Sequence, residues 1–165
     1  MGKVYSSFET VYRDARAGAF LNEAELKQAF IEALKSEFGG SQCHKYIVKY
    51  WLFPALEETV RGRRPDIRIS NIVVEVEPPG GDLGRGRLQL RQYMRDLYQV
   101  LGGRVEVYGL VTNGIDAELL EYDGSTYVTV ESGDMPSVAR DLIEIFCSRK
   151  IPVSDAKDLL RLFGV

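Results

Sequence analysis

The sequence is poor in the residues that bind structural zinc or build disulfide frameworks. It has two cysteines, Cys43 and Cys147, and a single histidine, His44. These residues cannot supply an ordinary four-ligand zinc site, and two cysteines are too few for a disulfide framework. We therefore expect both cysteines to be reduced, small core residues of a cytoplasmic protein. With no third group to orient it, the Cys43–His44 pair is not expected to be a catalytic nucleophile and base.

Long apolar runs are also missing. The longest, such as residues 50–53 and 72–74, are far too short to span a bilayer, and the first five residues contain no apolar signal region. A membrane partner is therefore not expected. The chain of 165 residues has the length of one ordinary domain, so we predict a single domain over 1–165.

Positive charge is scarce overall but concentrated in one stretch. The formal net charge of −3 argues against a generally basic nucleic-acid-binding surface. Residues 61–95 nevertheless carry eight basic and four acidic side chains, which makes this stretch +4 and the remainder −7. All eight basic residues are arginine, whose guanidinium suits bidentate contact with phosphate. The alternative is a solvated face with surface ion pairs, which explains the charge equally well.

Hydrophobic periodicity predicts a mixed domain of helices and strands. A helix over 23–38 is expected after the N-cap residue Asn22, and glycines 39 and 40 should end it. The other predicted elements are a short helix within 3–17, a strand over 46–53, a strand pair within 65–77, a helix over 87–101, a buried strand over 104–112, hairpin strands over 117–122 and 126–131, and helices over 137–148 and 154–163. This order gives an α/β (α+β) fold with a central mixed sheet and helices on both faces.

Three acidic residues stand in a strand pair whose other residues are typical of a core. Asp66 begins the first strand, and Glu75 and Glu77 lie two residues apart on the second. Alternation puts Glu75 and Glu77 on one face, and Val74 and Val76 on the other. Buried carboxylates are costly without a partner. A divalent cation is the simplest partner, because carboxylate oxygens suit Mg²⁺ or Mn²⁺. Taken singly, Asp66 is equally typical of a turn after proline, and Glu75 of an exposed strand.

The spacing of these acids resembles the PD-(D/E)xK nuclease superfamily. Pro65-Asp66 precedes Glu75-Val76-Glu77 by nine positions, and a predicted helix follows. Within that superfamily the chain is most similar to the N-terminal nuclease domain of type I restriction enzyme motor subunits, over residues 22–131. Four further segments carry the likeness by their order and spacing: 22–28, 63–66, 89–93 and 108–114. The resemblance implies a restriction-endonuclease-like core, with helices over 137–163 added to it.

The resemblance also implies a metal-dependent endonuclease that hydrolyses DNA phosphodiester bonds. Asp66 and Glu75 would be the metal ligands, helped by the backbone carbonyl of Val76, with Mg²⁺ or Mn²⁺ as the cofactor. Gln89 and Tyr93 are four residues apart on one helix face and would line the active site. Without the family likeness, they would be a surface glutamine over a half-buried tyrosine.

Glu25 corresponds to the acid of the family's first helix. It would orient water or contact the metal through water. Its position three residues after Asn22 is equally typical of a capping box. Glu23 and Glu32 are the alternatives for the same role.

Glu77 stands where the family usually has lysine. One interpretation makes Glu77 catalytic, either as a general base for the attacking water or as a ligand of a second metal. The other interpretation is a catalytically inactive nucleic-acid-binding or regulatory module on the same fold. A third possibility is an interaction protein whose acidic site binds only a structural cation.

Five arginines are predicted to hold the DNA backbone: Arg63, Arg64, Arg85, Arg87 and Arg91. Duplex cleavage needs two active sites, so a homodimer or a separate motor or specificity chain is the expected partner. Between the strand pair and the next helix, residues 78–86 are rich in glycine and proline, which predicts a mobile loop beside the site. Its glycines do not match a nucleotide-binding pattern.

Overall fold

A five-stranded mixed sheet lies between helices on both faces in the computed structural model of this chain. The structure describes residues 3–41, 66–69 and 71–148. The predicted strand over 46–53 and the predicted helix over 154–163 lie outside these residues, as do Cys43, His44, Arg63 and Arg64. The mixed α/β architecture expected from the periodicity is confirmed.

The described elements follow the predicted order. They are α1 (Phe8–Arg16), α2 (Glu23–Gly39), β1 (Ile67–Ile69), β2 (Ile72–Val76), α3 (Gly84–Val100), β3 (Val107–Thr112), β4 (Asp116–Tyr122), β5 (Tyr127–Asp134) and α4 (Met135–Ser148). The strands lie side by side in chain order, β1 to β5. Strands β2 and β3 are parallel and are joined through α3, whereas the other neighbouring pairs are antiparallel.

Local hydrogen bonds explain where two helices begin. The Asn22 side chain accepts a 2.9 Å hydrogen bond from the Glu25 backbone N–H, so the predicted N-cap of α2 is confirmed. Helix α3 begins one turn earlier than its predicted start at residue 87. Its first turn forms because the Asp82 carboxylate accepts the Gly84 N–H at 3.1 Å and the Arg87 N–H reaches the Leu83 carbonyl at 2.8 Å. The two glycines of this turn hid it from a propensity argument.

The two faces of the sheet bury separate apolar clusters. Val74 and Val76 pack with α1, α2 and α4 on one face. Val73 and Val111 pack with α3 on the other face. Because side chains alternate along β2, Glu75 lies on the α3 face beside Val73. The predicted orientation of the valines is therefore confirmed, and the strand directs its acid toward the start of α3.

Cys147 in α4 is disulfide-bonded, so the expectation that both cysteines are reduced is wrong for this residue. The cysteine count excluded a framework of several bridges, but a single bridge needs only two cysteines. Among the helices of residues 3–41 and 71–148, none has the length and apolar character that a bilayer crossing requires.

Candidate active site

A cleft with a volume of about 450 Å³ opens where β2 ends and α3 begins. The residues that line it come from the start of α2, the β1–β2 pair, the loop after β2 and the first turns of α3: Glu23, Asp66, Glu75, Glu77, Pro78, Gly81, Asp82, Arg85 and Gln89. Five of these nine residues are acidic and one is basic, so the cleft is strongly negative. A cleft of this charge favours cations over anions.

Asp66 and Glu75 face each other across the antiparallel β1–β2 pair. The register joins Ile67 to Val74, which puts Asp66 opposite Glu75. The Asp66 backbone N–H points to a Glu75 carboxylate oxygen at 3.4 Å, and the Val76 N–H donates to Asp66 Oδ2 at 2.8 Å. Backbone geometry therefore fixes the position of both carboxylates.

The surroundings of Glu75 disfavour a second negative charge. Burial raises the pKa of the Glu75 carboxyl to about 8, and the neighbouring Asp66 charge adds to the effect. Protonation of Glu75 relieves this repulsion at neutral pH. A bound divalent cation would relieve it more completely, because it would stabilise both carboxylates in their ionised form.

Glu77 lies just beyond the end of β2 with its side chain in the cleft. Its residue surface is only 9% exposed, and its backbone N–H donates to the Thr112 carbonyl at 2.8 Å. Burial raises the pKa of its carboxyl, with Glu23 as the next contributor and Arg85 acting in the opposite direction. Within the described residues, no hydrogen bond reaches the Glu77 carboxylate. The group is therefore available to accept a proton or to bind a cation.

The Glu77 side chain packs so closely against Gly86 that position 86 has no room for a side chain. A Cβ added to Gly86 would lie 2.7 Å from Glu77 Cγ and 2.8 Å from Glu77 Cδ, closer than real contacts allow. Gly86→Ala is expected to displace the Glu77 carboxylate and to slow any reaction in which that carboxylate takes part about 100-fold, because small misplacements at a reacting centre have effects of this size. Reaction rates and urea unfolding of the variant measure the two effects separately.

The matched control is Gly39→Ala, since a Cβ at the helical Gly39 would meet nothing within 4 Å. This variant should gain up to about 1 kcal/mol of unfolding free energy from helix propensity and keep full activity. Equal reaction rates for the two variants would show that the packing of Glu77 against Gly86 has no bearing on activity.

Of the other predicted catalytic residues, Gln89 lines the cleft, whereas Tyr93 and Glu25 are not among its lining residues. Gln89 lines the cleft, and its Nε2 donates to the Tyr93 hydroxyl at 3.3 Å. Tyr93 is 4% exposed and packs in the apolar cluster under α3. Glu25 is not among the residues that line the cleft: its carboxylate accepts the Leu21 N–H at 3.1 Å at the start of α2. The acid that α2 contributes to the cleft is Glu23.

The described arginines of the predicted DNA-binding set have different surroundings. Arg85 is exposed and lines the cleft. Arg87 instead forms a two-pronged ion pair with Glu118 of β4, with Nε 3.0 Å from Oε1. The Arg91 guanidinium lies over the Tyr127 ring of β5, 5.3 Å from its centroid. Of these three arginines, the structure brings only Arg85 to the cleft.

Lys27 is a site residue that the sequence analysis missed. Its Nζ lies 3.5 Å from Asp66 Oδ1, the carboxylate oxygen that the Val76 N–H does not use. Lys27 follows Glu23 by four residues, so both side chains extend from one face of α2. That spacing was visible in the sequence, but the approach of α2 to β1 was not.

The carboxylate pair fits a hard cation that keeps most of its water ligands. Within residues 3–41, 66–69 and 71–148, no three histidine, cysteine, aspartate or glutamate side chains are grouped as a ready-made metal site. Mg²⁺ is commonly bound through only one or two carboxylates, with water completing its coordination. Asp66 and Glu75 would supply those two groups, and a bound cation would relieve the repulsion that contributes to the raised pKa of Glu75.

Comparisons of the chain with known protein families, with curated proteins and with solved structures find no match.

Proposed function

We propose that this protein is a metal-dependent endonuclease that hydrolyses DNA phosphodiester bonds. The observation that carries the proposal is the pairing of Asp66 with Glu75 across β1 and β2, inside a cleft that also holds Glu77, Arg85 and Gln89. Two adjacent carboxylates suit Mg²⁺ or Mn²⁺, and the same ions are suited to phosphodiester hydrolysis.

Asp66 and Glu75 would hold the ion, and a bound ion would supply charge stabilisation and an activated water. The Val76 N–H keeps Asp66 in position for this role. The Glu77 carboxylate is suited to accept a proton from the attacking water, since burial raises its pKa. Gln89 at the rim can hydrogen-bond a phosphate oxygen or water, and Arg85 can contact the backbone of the DNA.

A restriction-endonuclease-like core is the finer fold that we propose. Its support is an antiparallel pair carrying the acids, followed by a helix and a parallel strand next to β2. Cutting both strands of a duplex would need two such clefts. A second copy of this chain, or a separate motor or specificity chain, is the proposed partner.

Glu77 also supports a second candidate, a nucleic-acid-binding module without catalytic activity. A carboxylate at this position cannot donate to a phosphate oxygen when ionised. The experiment that separates the two candidates incubates the protein with supercoiled, linear and single-stranded DNA in Mg²⁺, Mn²⁺ or EDTA. The endonuclease predicts cleavage with either metal and none in EDTA. Binding without cleavage under every condition would favour the inactive module.

Arg85 and Arg87 provide a matched pair for testing the DNA contact, since they lie two residues apart at the start of α3. Arg85→Ala is expected to weaken DNA binding about tenfold at low salt. It should also reduce the slope of log affinity against log salt by about 1, because one phosphate contact is lost. Arg87→Ala removes the ion pair with Glu118 and should leave that slope unchanged. Fluorescence anisotropy across a salt series measures both slopes, and equal slopes for the two variants would refute the assignment.

A further inference from the structure

The cleft carries more negative charge than a DNA backbone can approach without help. Five acidic side chains line it, and Arg85 is the one basic residue among the lining residues of the described chain. A bound divalent ion would neutralise part of this charge at Asp66 and Glu75. A phosphodiester that enters would still meet Glu23, Glu77 and Asp82, so a cation on the α2 side would reduce the remaining repulsion.

Lys27 of α2 lies beside Asp66, a lining residue of the cleft, without lining the cleft itself. Its Nζ lies 3.5 Å from Asp66 Oδ1, and its side chain is 41% exposed. A charge at this distance from a metal ligand also lies next to whatever the metal would bind. The four-carbon stem lets the ammonium move by a few ångströms without movement of the helix.

The ion pair between Lys27 and Asp66 is too loose to be a main source of stability. The Lys3–Asp14 pair has similar side-chain exposure but a separation of 2.8 Å. Exposed pairs contribute little even at good geometry, because water screens them and side-chain entropy is lost. Lys27 can therefore exchange Asp66 for an incoming phosphate at low cost.

We propose that the Lys27 ammonium, which lies beside Asp66, reaches into the cleft to contact phosphate, and that it stabilises negative charge on the reacting phosphodiester. The inference rests on the proposed function, because it names a second protein contact for the same substrate. The ammonium comes from α2, whereas position 77 at the end of β2 carries a carboxylate. The predicted contact is electrostatic, and no bond forms or breaks at Lys27.

The test compares Lys27→Ala and Lys27→Arg with the control Lys3→Ala, which removes a surface lysine–aspartate pair away from the cleft. Lys27→Ala is expected to lower kcat for DNA cleavage about 100-fold, as the loss of a charge-stabilising donor does. It should also lower the salt slope of DNA binding by about 1, while urea unfolding stays close to wild type. Lys27→Arg keeps the charge and should recover at least tenfold of the lost activity.

The outcomes separate this inference from the proposed function. If the wild type cleaves DNA and Lys27→Ala cleaves equally well, the inference is wrong and the nuclease stands. If Lys27→Ala loses activity only in proportion to lost folding, its role is structural and the inference is again wrong. If the wild type binds DNA without cutting it, an unchanged salt slope in Lys27→Ala overturns the contact, whereas a slope lower by about 1 supports it. A wild type that neither cuts nor binds overturns both.

Discussion

Replacing Asp66 with asparagine is expected to reduce DNA cleavage at least about a thousandfold, because an interaction worth several kcal/mol in the transition state is lost with the metal. Asparagine keeps the shape of the side chain, and its amide oxygen can still accept the Val76 N–H that now reaches Asp66 at 2.8 Å. The fold should therefore survive while the charge disappears. Single-turnover cleavage of a labelled duplex in saturating Mg²⁺ measures the loss.

The control for this variant is Asp14→Asn. Asp14 also pairs with a lysine, since its Oδ2 lies 2.8 Å from Lys3 Nζ, but it belongs to α1 and is not among the residues that line the cleft. This control should cleave DNA at the wild-type rate. Cleavage by Asp66→Asn at more than a tenth of the wild-type rate would contradict a metal ligand at this position.

Replacing Glu75 with glutamine is expected to stabilise the metal-free protein at alkaline pH. The pKa of Glu75 is raised to about 8 in the folded state, above the ordinary value of 4.5 that it regains on unfolding. Folding therefore favours the protonated form of Glu75. The contribution of this group to the unfolding free energy is fully present below pH 4.5 and is lost as the pH rises through about 8. Glutamine does not titrate, and its amide can donate to Asp66 at every pH.

Urea unfolding in EDTA between pH 5 and pH 8 measures this effect. As the pH rises from 5 to 8, the unfolding free energy of Glu75→Gln should increase relative to that of wild type by about 2–3 kcal/mol. The pKa of Glu131 is also raised, to about 7, through its hydrogen bond with Asp141 outside the cleft. Glu131→Gln should therefore shift in the same direction with pH, and it serves as the comparison whose stability Mg²⁺ should not affect. A difference between Glu75→Gln and wild type that does not change with pH would contradict the account.

Metal should reverse the order of stability at pH 8. Mg²⁺ that binds the folded wild type raises its unfolding free energy. Once the Mg²⁺ concentration exceeds the dissociation constant, this gain grows with the logarithm of the concentration. Glu75→Gln has lost one of the two carboxylates and should gain little. Wild type and variant that respond equally to Mg²⁺ would show that the ion binds elsewhere.

Helices and strands that are marked by local sequence signals, such as an N-cap residue or an alternating pattern, were predictable from the sequence. Asn22 identified the start of α2, and the alternation from Val73 to Glu77 identified β2 and its two faces. The opposition of Asp66 and Glu75 followed because a short turn between two strands makes them antiparallel neighbours. The start of α3 was missed because a hydrogen bond from Gly84 to the Asp82 side chain outweighs the low helix propensity of glycine.

Contacts between distant segments were not predictable. Arg87 and Arg91 were grouped with Arg85 by charge alone, yet their partners Glu118 and Tyr127 lie on β4 and β5 and meet α3 only after the sheet has formed. The approach of α2 to β1 determines which residues of α2 lie near the candidate site. It brings Glu23 to the cleft and Lys27 next to Asp66, whereas the Glu25 carboxylate stays at the start of its own helix.

Asp66 and Glu75 together are expected to hold a divalent cation. Titration of the metal-free protein with Mn²⁺, followed by isothermal calorimetry or by the loss of the free Mn²⁺ paramagnetic resonance signal, tests it without requiring DNA or turnover. We predict a saturable site in the wild type and in Asp14→Asn, and loss of that site in both Asp66→Asn and Glu75→Gln. Equal Mn²⁺ affinity in all four proteins, or no saturable binding by the wild type, would contradict the claim.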